Sequence, residues 1–166
     1  ALQVSQDDTD IQFLRKRAEE NGYELIFSRG EVYFGPMRLT GAARQGTIMV
    51  YAGADTNCLG FSANADAHQA DAVAVDVPDA EGDGQTEQIV RPNLALLGTV
   101  HADSASSGLG DFVWKMSGAA GADETTLVAK AQQKANDFDI HKVKAEGELD
   151  GTLYGHVLQV GLLVPV

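Results

Sequence analysis

The sequence predicts an α+β fold dominated by β structure: a helix-plus-hairpin unit over residues 1–40, joined to a β-barrel or roll over 41–166 that carries one further helix. Three observations predict it. Only two stretches, near 10–21 and 124–138, space their apolar residues helically, and they lie far apart in the 166-residue chain. Elsewhere short runs of β-branched and aromatic residues are punctuated by glycine, of which there are 18. Strands and helices do not alternate, so a parallel α/β sheet is not expected.

The first unit lies in 9–36, TDIQFLRKRAEENGYELIFSRGEVYFGP. Thr9 followed three positions later by Gln12 fits a capping box, which starts a helix near Asp10. Ile11, Leu14 and Ala18 share one face with Phe13 beside it, while Arg15, Lys16, Arg17, Glu19 and Glu20 fill the solvent side. Asn21-Gly22 supplies a left-handed stop. The runs 23–27 and 32–34 flank Ser28-Arg29-Gly30-Glu31, a hairpin signal with glycine where positive φ costs little. Ile11, Leu14 and Ala18 are expected to pack on that hairpin.

This succession resembles the late control protein D family, the baseplate hub proteins of contractile-tailed phages: an acidic cap, Phe-Leu-Arg, Ala-Glu-Glu, Asn-Gly-Tyr-Glu, and a hairpin closing on Tyr-Phe-Gly-Pro. It is similar also to the helix-and-hairpin element in the hub portion of type VI secretion spike proteins. The match is dense over 10–36, weaker over 122–160 and thin between. In the second stretch an Ala- and Lys-rich helix is followed by a Glu-Gly strand, a turn and a strand ending near Val-Gly. There the family usually carries a Pro-Gly pair, and this chain has Leu153-Tyr154-Gly155.

After Pro36 strands are expected at 47–51 (TIMVY), 58–62 (CLGFS) and 72–77, where Val73, Val75 and Val77 alternate with Ala74 and Asp76 as in a half-buried strand. Residues 78–84 read as an exposed loop. Ile89-Val90 and 94–100 are candidate strands, with flexible connections at 104–110 and 117–121 around Phe112-Val113-Trp114. Asp123 can cap a helix from Glu124 to Phe138 whose inner face is Leu127, Val128, Ala131, Ala135 and Phe138, with Lys130, Gln132, Gln133 and Lys134 on the other. Strands should follow at 140–146 and 154–160 around a turn at Asp150-Gly151. No internal repeat is evident.

Composition narrows the function classes. A chain of 166 residues can bury a real core, and no long apolar run is present to span a membrane. The start ALQVSQDDTD has no basic stretch or apolar h-region, so no secretory signal is expected, and the start without Met together with the apolar ending GLLVPV reads as a piece of a longer protein. The lone Cys58 excludes an internal disulfide and a thiolate metal cluster, and is compatible with assembly in a bacterial cytoplasm. Net charge is −12, and between Arg44 and Arg91 there is no Lys or Arg. That stretch holds Asp55, Asp66, Asp71, Asp76, Asp79, Glu81, Asp83 and Glu87. Phosphate neutralisation needs the opposite sign, so specific nucleic-acid binding is not expected. The acids either keep a glycine-rich β protein soluble or line a channel.

No residue set nominates itself for chemistry, and the expected catalytic, cofactor and metal sites are none. His68, His101, His141 and His156 are the histidines. His101 and Asp103 could present two ligands on an extended segment, short of the three or four that a closed site needs. Ser104, Ser106 and Ser107 lie near His101 without a nucleophile elbow. Cys58, within the apolar CLGF, reads as a buried inert thiol. Carboxylate pairs for glycoside cleavage remain open, since none of the 24 acids is singled out. Gly108-Leu109-Gly110 lacks the third glycine of a dinucleotide loop. Phe112, Trp114 and Met116 alternate, as a core stripe or a ligand platform would.

What the resemblance implies is a structural protein with no reaction: a baseplate hub component adapting the tail tube to the central spike. It would self-associate as a trimer in full-length form, contact tube and spike proteins, and reside in a virion tail or injection-machine baseplate assembled in the bacterial cytoplasm. Membrane insertion is not expected. Alternatives are a tail- or envelope-associated hydrolase using carboxylates, and a secreted β-rich module binding carbohydrate or protein.

Overall fold

The structure, a computed structural model, describes residues 9–40, 44–78, 84–98, 110–118 and 123–166. Helix α1 (Asp10–Asn21) leads into the hairpin β1 (Tyr23–Ser28) and β2 (Glu31–Pro36). Gln12 Oε1 accepts from the Thr9 backbone N–H at 3.2 Å and from its hydroxyl at 2.7 Å, fixing the start. Gly22 ends the helix in the left-handed region at φ +63°. The hairpin loop is only two residues, Arg29-Gly30, both at positive φ (52° and 81°), the geometry of a type I′ turn.

After a 3₁₀ turn at Gly53–Asp55 come β3 (Cys58–Ala65), β4 (Ala72–Pro78), β5 (Gln85–Val90), β6 (Val113–Met116), α2 (Glu124–His141), β7 (Val143–Leu149) and the short α3 (Gly151–Tyr154). The described strands form three small sheets: β1-β2, β3-β7 and β5-β4-β6. The fold is therefore α+β and β-dominated as read from sequence, but the expected barrel is not there. No sheet among the described residues closes on itself. In the three-stranded sheet β4 pairs antiparallel with β5 and parallel with β6.

The core sits between that sheet and α2. Val73, Val75 and Val77 meet Leu127, Ala131 and Ala135, with Val90, Met116, Val128 and Phe138 packed round them. Ala131 and Ala135, wholly buried, let the helix approach the sheet closely. The expected inner face of α2 is thus correct. β4, however, is a central strand buried on both faces, since Ala72 and Ala74 are covered as well as the valines.

Other expectations need correction. α2 runs three residues past Phe138, because Asp139-Ile140-His141 contains no helix breaker, and the strand expected from 140 begins at Val143. The expected strand at 47–51 is irregular, and so is 154–160, where α3 ends at Gly155 (φ +70°). Asp150 Oδ1 accepts from Thr152 N and Leu153 N, turning the chain into that helix instead of a strand. These two irregular segments satisfy part of their backbones through side chains. Gln45 donates to Gln159 O at 2.8 Å and accepts from Gln159 N at 2.7 Å, like a strand residue. Asn57 does likewise for Met49 N and Thr47 O. Residues 94–98 are not a strand, while 99–100 lie outside the described residues. The alternating run that contains Trp114 and Met116 is a strand, β6, which Phe112 directly precedes. Ile11 and Leu14 are 43% and 36% exposed, and Ala18 alone of that helix face is buried.

Candidate functional site

Among the described residues the histidines His68, His141 and His156 do not converge. His68 is exposed in a turn, its Nδ1 3.3 Å from Asp66 Oδ1. His141 Nδ1 lies 2.7 Å from Asp137 O in the last turn of α2. His156 stands edge-on to Tyr154 with ring centroids 5.8 Å apart. His101, Asp103, Ser104, Ser106, Ser107, Gly108 and Leu109 lie outside the described residues, as do Asp79, Glu81 and Asp83. Among the described residues no three His, Cys, Asp or Glu side chains are grouped to hold a metal ion. Cys58 is 7% exposed and its Sγ donates to Gly60 O at 3.1 Å.

The acidic stretch is not left to itself, because lysines from later in the chain fold back onto it. Lys142 Nζ lies 2.9 Å from Asp71 Oδ1, with its side chain 7% exposed. Asp71 Oδ2 also accepts from Phe112 N at 2.8 Å, and Lys142 O accepts from Asp66 N at 2.8 Å. One ion pair thereby ties the β3–β4 turn, the approach to β6 and the end of α2. Lys115 on β6 bridges Asp76 on β4 (3.1 Å) and Glu87 on β5 (2.9 Å), which oppose each other across the ladder. Those two carboxylates hold the Lys115 ammonium above its ordinary value of 10.5, chiefly through the hydrogen bond to Glu87. Asp66 is held below 3.8, first by the Gln69 side-chain amide and then by the His68 backbone N–H. Sequence reading missed both lysines. HKVKAE and VWKM carry no signal of a partner some 70 or 30 residues away.

A groove of about 910 Å³ lies between the end of α1, the loop after β2, β6 and α2. Its apolar lining includes Met37, Leu94, Trp114, Met116 and Ile140. Trp114 and Met116 pair with Val73 and Val75 and so share the α2 face of the sheet. Met116 packs against the core, whereas Trp114, edge-on to Phe138 at 5.7 Å, is 37% exposed. Phe112 precedes the strand and is exposed, so the expected stripe is core at one end only.

The remaining candidate surface is apolar and uncovered. By register Tyr23, Leu25, Phe27, Val32, Phe34 and Pro36 share one face of the hairpin, and only Leu25 among them is half-buried. Leu59, Val143, Leu153, Val157 and Val160 are each more than half exposed. Single exposed apolar residues are ordinary, whereas faces of this extent mark interaction surfaces. No helix of the described residues is long and apolar enough to cross a membrane. No protein-family model matches the chain, and no curated protein matches it.

Proposed function

We propose that this chain is a structural component of a baseplate hub in a contractile phage tail or related injection machine, adapting the tail tube to the central spike. The observation that carries the reading is the uncovered apolar surface on the elements where the resemblance lies. The helix-and-hairpin unit has its capped helix and two-residue turn, yet presents Ile11, Leu14, Phe27, Val32 and Phe34 to solvent. Such a surface gains by association. No reaction is assigned. The parent protein assembles as a trimer, contacts tube and spike proteins, and works in the tail or baseplate after assembly in the bacterial cytoplasm.

The test is reconstitution of the parent protein with the tube and spike proteins of its own particle. Light scattering should give three copies per assembly, and tube and spike should each be retained on it. A parent protein that stays monomeric at high concentration and retains neither overturns the reading.

A second reading has one observation in its favour. The groove at Trp114 is a concave patch with one indole exposed, as a module binding peptide or carbohydrate requires. Titration of Trp114 fluorescence with peptide and oligosaccharide panels tests it, and saturable quenching lost in Trp114→Leu supports it.

A further inference from the structure

The ribbon β3–β7 is unlike the other two sheets. Neither helix α1 nor α2 packs on it, and along both strands nearly every residue is exposed on both faces. It is nonetheless amphipathic. Phe61, Ala63 and Ala65 stand opposite Gly147, Ala145 and Val143 on one face, with the Phe61 ring lying over Gly147. Ser62 and Asn64 stand opposite Glu146 and Lys144 on the other. An isolated two-stranded ribbon is marginal in water, and an apolar face on such a ribbon normally has a cover. Each strand also has a second edge with no partner among the described strands. β3, CLGFSANA, carries no charge and no proline, the usual guards of a free edge.

We propose that β3 and β7 are the two halves of an intermolecular sheet. The free edge of β3 in one copy pairs antiparallel with the free edge of β7 in the next. This deepens the assembly reading above and rests on it only for the number of copies in the ring. The occupant is a second copy because the chain already demonstrates the match: these two sequences pair with each other in register, apolar on apolar and Ser/Asn on Glu/Lys. Stereochemistry allows the same match outward. In an antiparallel ladder the residues of each non-hydrogen-bonded pair point their N–H and C=O groups away from one another, toward the outer edges. A neighbour's β7 laid along β3 in the in-chain register, or slipped by two residues, uses those groups and keeps every side chain on its face.

Symmetry follows from the same residues. A two-fold contact between two β7 edges centred on Glu146 sets that carboxylate against its own copy, and like charges directly opposite are unfavourable. A two-fold contact between β3 edges leaves both β7 edges open. The contact of β3 with β7 is heterologous, so its repetition leaves no edge when the rotation per copy closes a ring, as it does for the three copies of the assembly reading.

The experiment uses the whole chain in a Cys58→Ser background. Ala63→Cys and Ala145→Cys, which face each other within one chain, are placed on separate molecules, mixed dilute, concentrated, and treated with a short bis-maleimide. Covalent dimers should form in the mixture at least tenfold more than in either variant alone. Dimers from Ala63→Cys alone in equal yield, or none in the mixture at any concentration, overturn the proposal. Unmodified protein supplies the check on folding: amide hydrogen exchange in β3 and β7 should slow as concentration rises, and exchange independent of concentration overturns it equally. A three-copy hub without the mixed cross-link sinks the ribbon contact and leaves the hub reading. The mixed cross-link in a protein that binds neither tube nor spike does the reverse.

Discussion

Arg29, like Tyr51 (φ 54°), is a non-glycine residue whose backbone lies at positive φ. It sits at φ 52° in the first position of a type I′ turn, a region in which a Cβ crowds the following carbonyl and costs about 1–2 kcal/mol. Asparagine and glycine tolerate that region. Arg29→Asn should therefore raise stability by about 0.5–1 kcal/mol, read as a higher urea midpoint at unchanged slope. A midpoint that does not move would show that the Arg29 side chain holds the turn through contacts of its own. Titrating side chains give a second residue-scale expectation. The lowered carboxyls of Asp66 and Asp123, the latter held down mainly by the Thr126 hydroxyl, favour the fold above their ordinary value of 3.8. That contribution is lost as pH falls through the still lower folded values. The raised Lys115 contributes below 10.5, and its share is lost as pH climbs through the higher folded value. All three groups are exposed, so the effects are small. In melting temperatures against pH, Asp66→Asn should flatten the acid limb alone and Lys115→Met the alkaline limb alone.

At the scale of elements, legibility followed the range of the interactions. Helices α1 and α2 and the hairpin could be read because their determinants are local: Thr9 and Gln12, Gly22, Arg29-Gly30, and the Leu127–Ala131–Ala135 face. The expected strand at 47–51 failed for the opposite reason. Its apolar text is right, but its hydrogen-bond partners are the side chain of Asn57 and the backbone near Pro165, and no pattern in TIMVY encodes them. The absent barrel has the same cause, since alternation says that a strand wants one covered face and never says which molecule covers it. Lys142 was illegible likewise. Its pairing with Asp71 joins residues 71 positions apart, the Lys142 side chain 7% exposed and that of Asp71 23%. Removing one partner of a buried pair leaves the other charge stranded, at a cost of about 3–5 kcal/mol, whereas removing both is often near neutral. Lys142→Met should thus lower the unfolding free energy by about that amount, and adding Asp71→Leu should restore part of it. Asp71 also accepts from Phe112 N, so restoration should be incomplete. Additive losses in the double-mutant cycle would show that the two side chains act independently.

For the whole molecule the informative quantity is where the charge lies. Residues 9–40 hold five acids and five bases, so the helix-and-hairpin unit is neutral, while 41–166 carry seventeen acids against seven bases. Ten of the twelve excess negative charges thus sit on the part of the chain that contains the ribbon. Asp71 is paired with Lys142, Asp76 and Glu87 share Lys115 and so keep one excess negative charge between them, and Asp66 is committed to its turn. A channel-lining role for the acids of 45–90 would therefore fall on fewer of them than their number suggests, Asp55 being one that stays exposed. The same charge decides how association responds to salt. If copies meet through apolar faces and backbone edges, the long-range force between them is repulsion of like net charge, and the contact itself supplies attraction that salt does not screen. Raising ionic strength from about 0.01 M to about 0.15 M shortens the Debye length from about 30 Å to about 8 Å and should strengthen self-association. An interface held by ion pairs, such as the Arg15-Lys16-Arg17 face of α1 against an acidic body, would weaken over the same range. Sedimentation of the whole chain at both salts discriminates between them by the sign of the change. Glu146→Gln with Glu148→Gln, which removes negative charge from the ribbon's polar face, should shift association upward at low salt and much less at high salt. Association that falls as salt rises would place the contact on charged surfaces instead of the apolar ribbon.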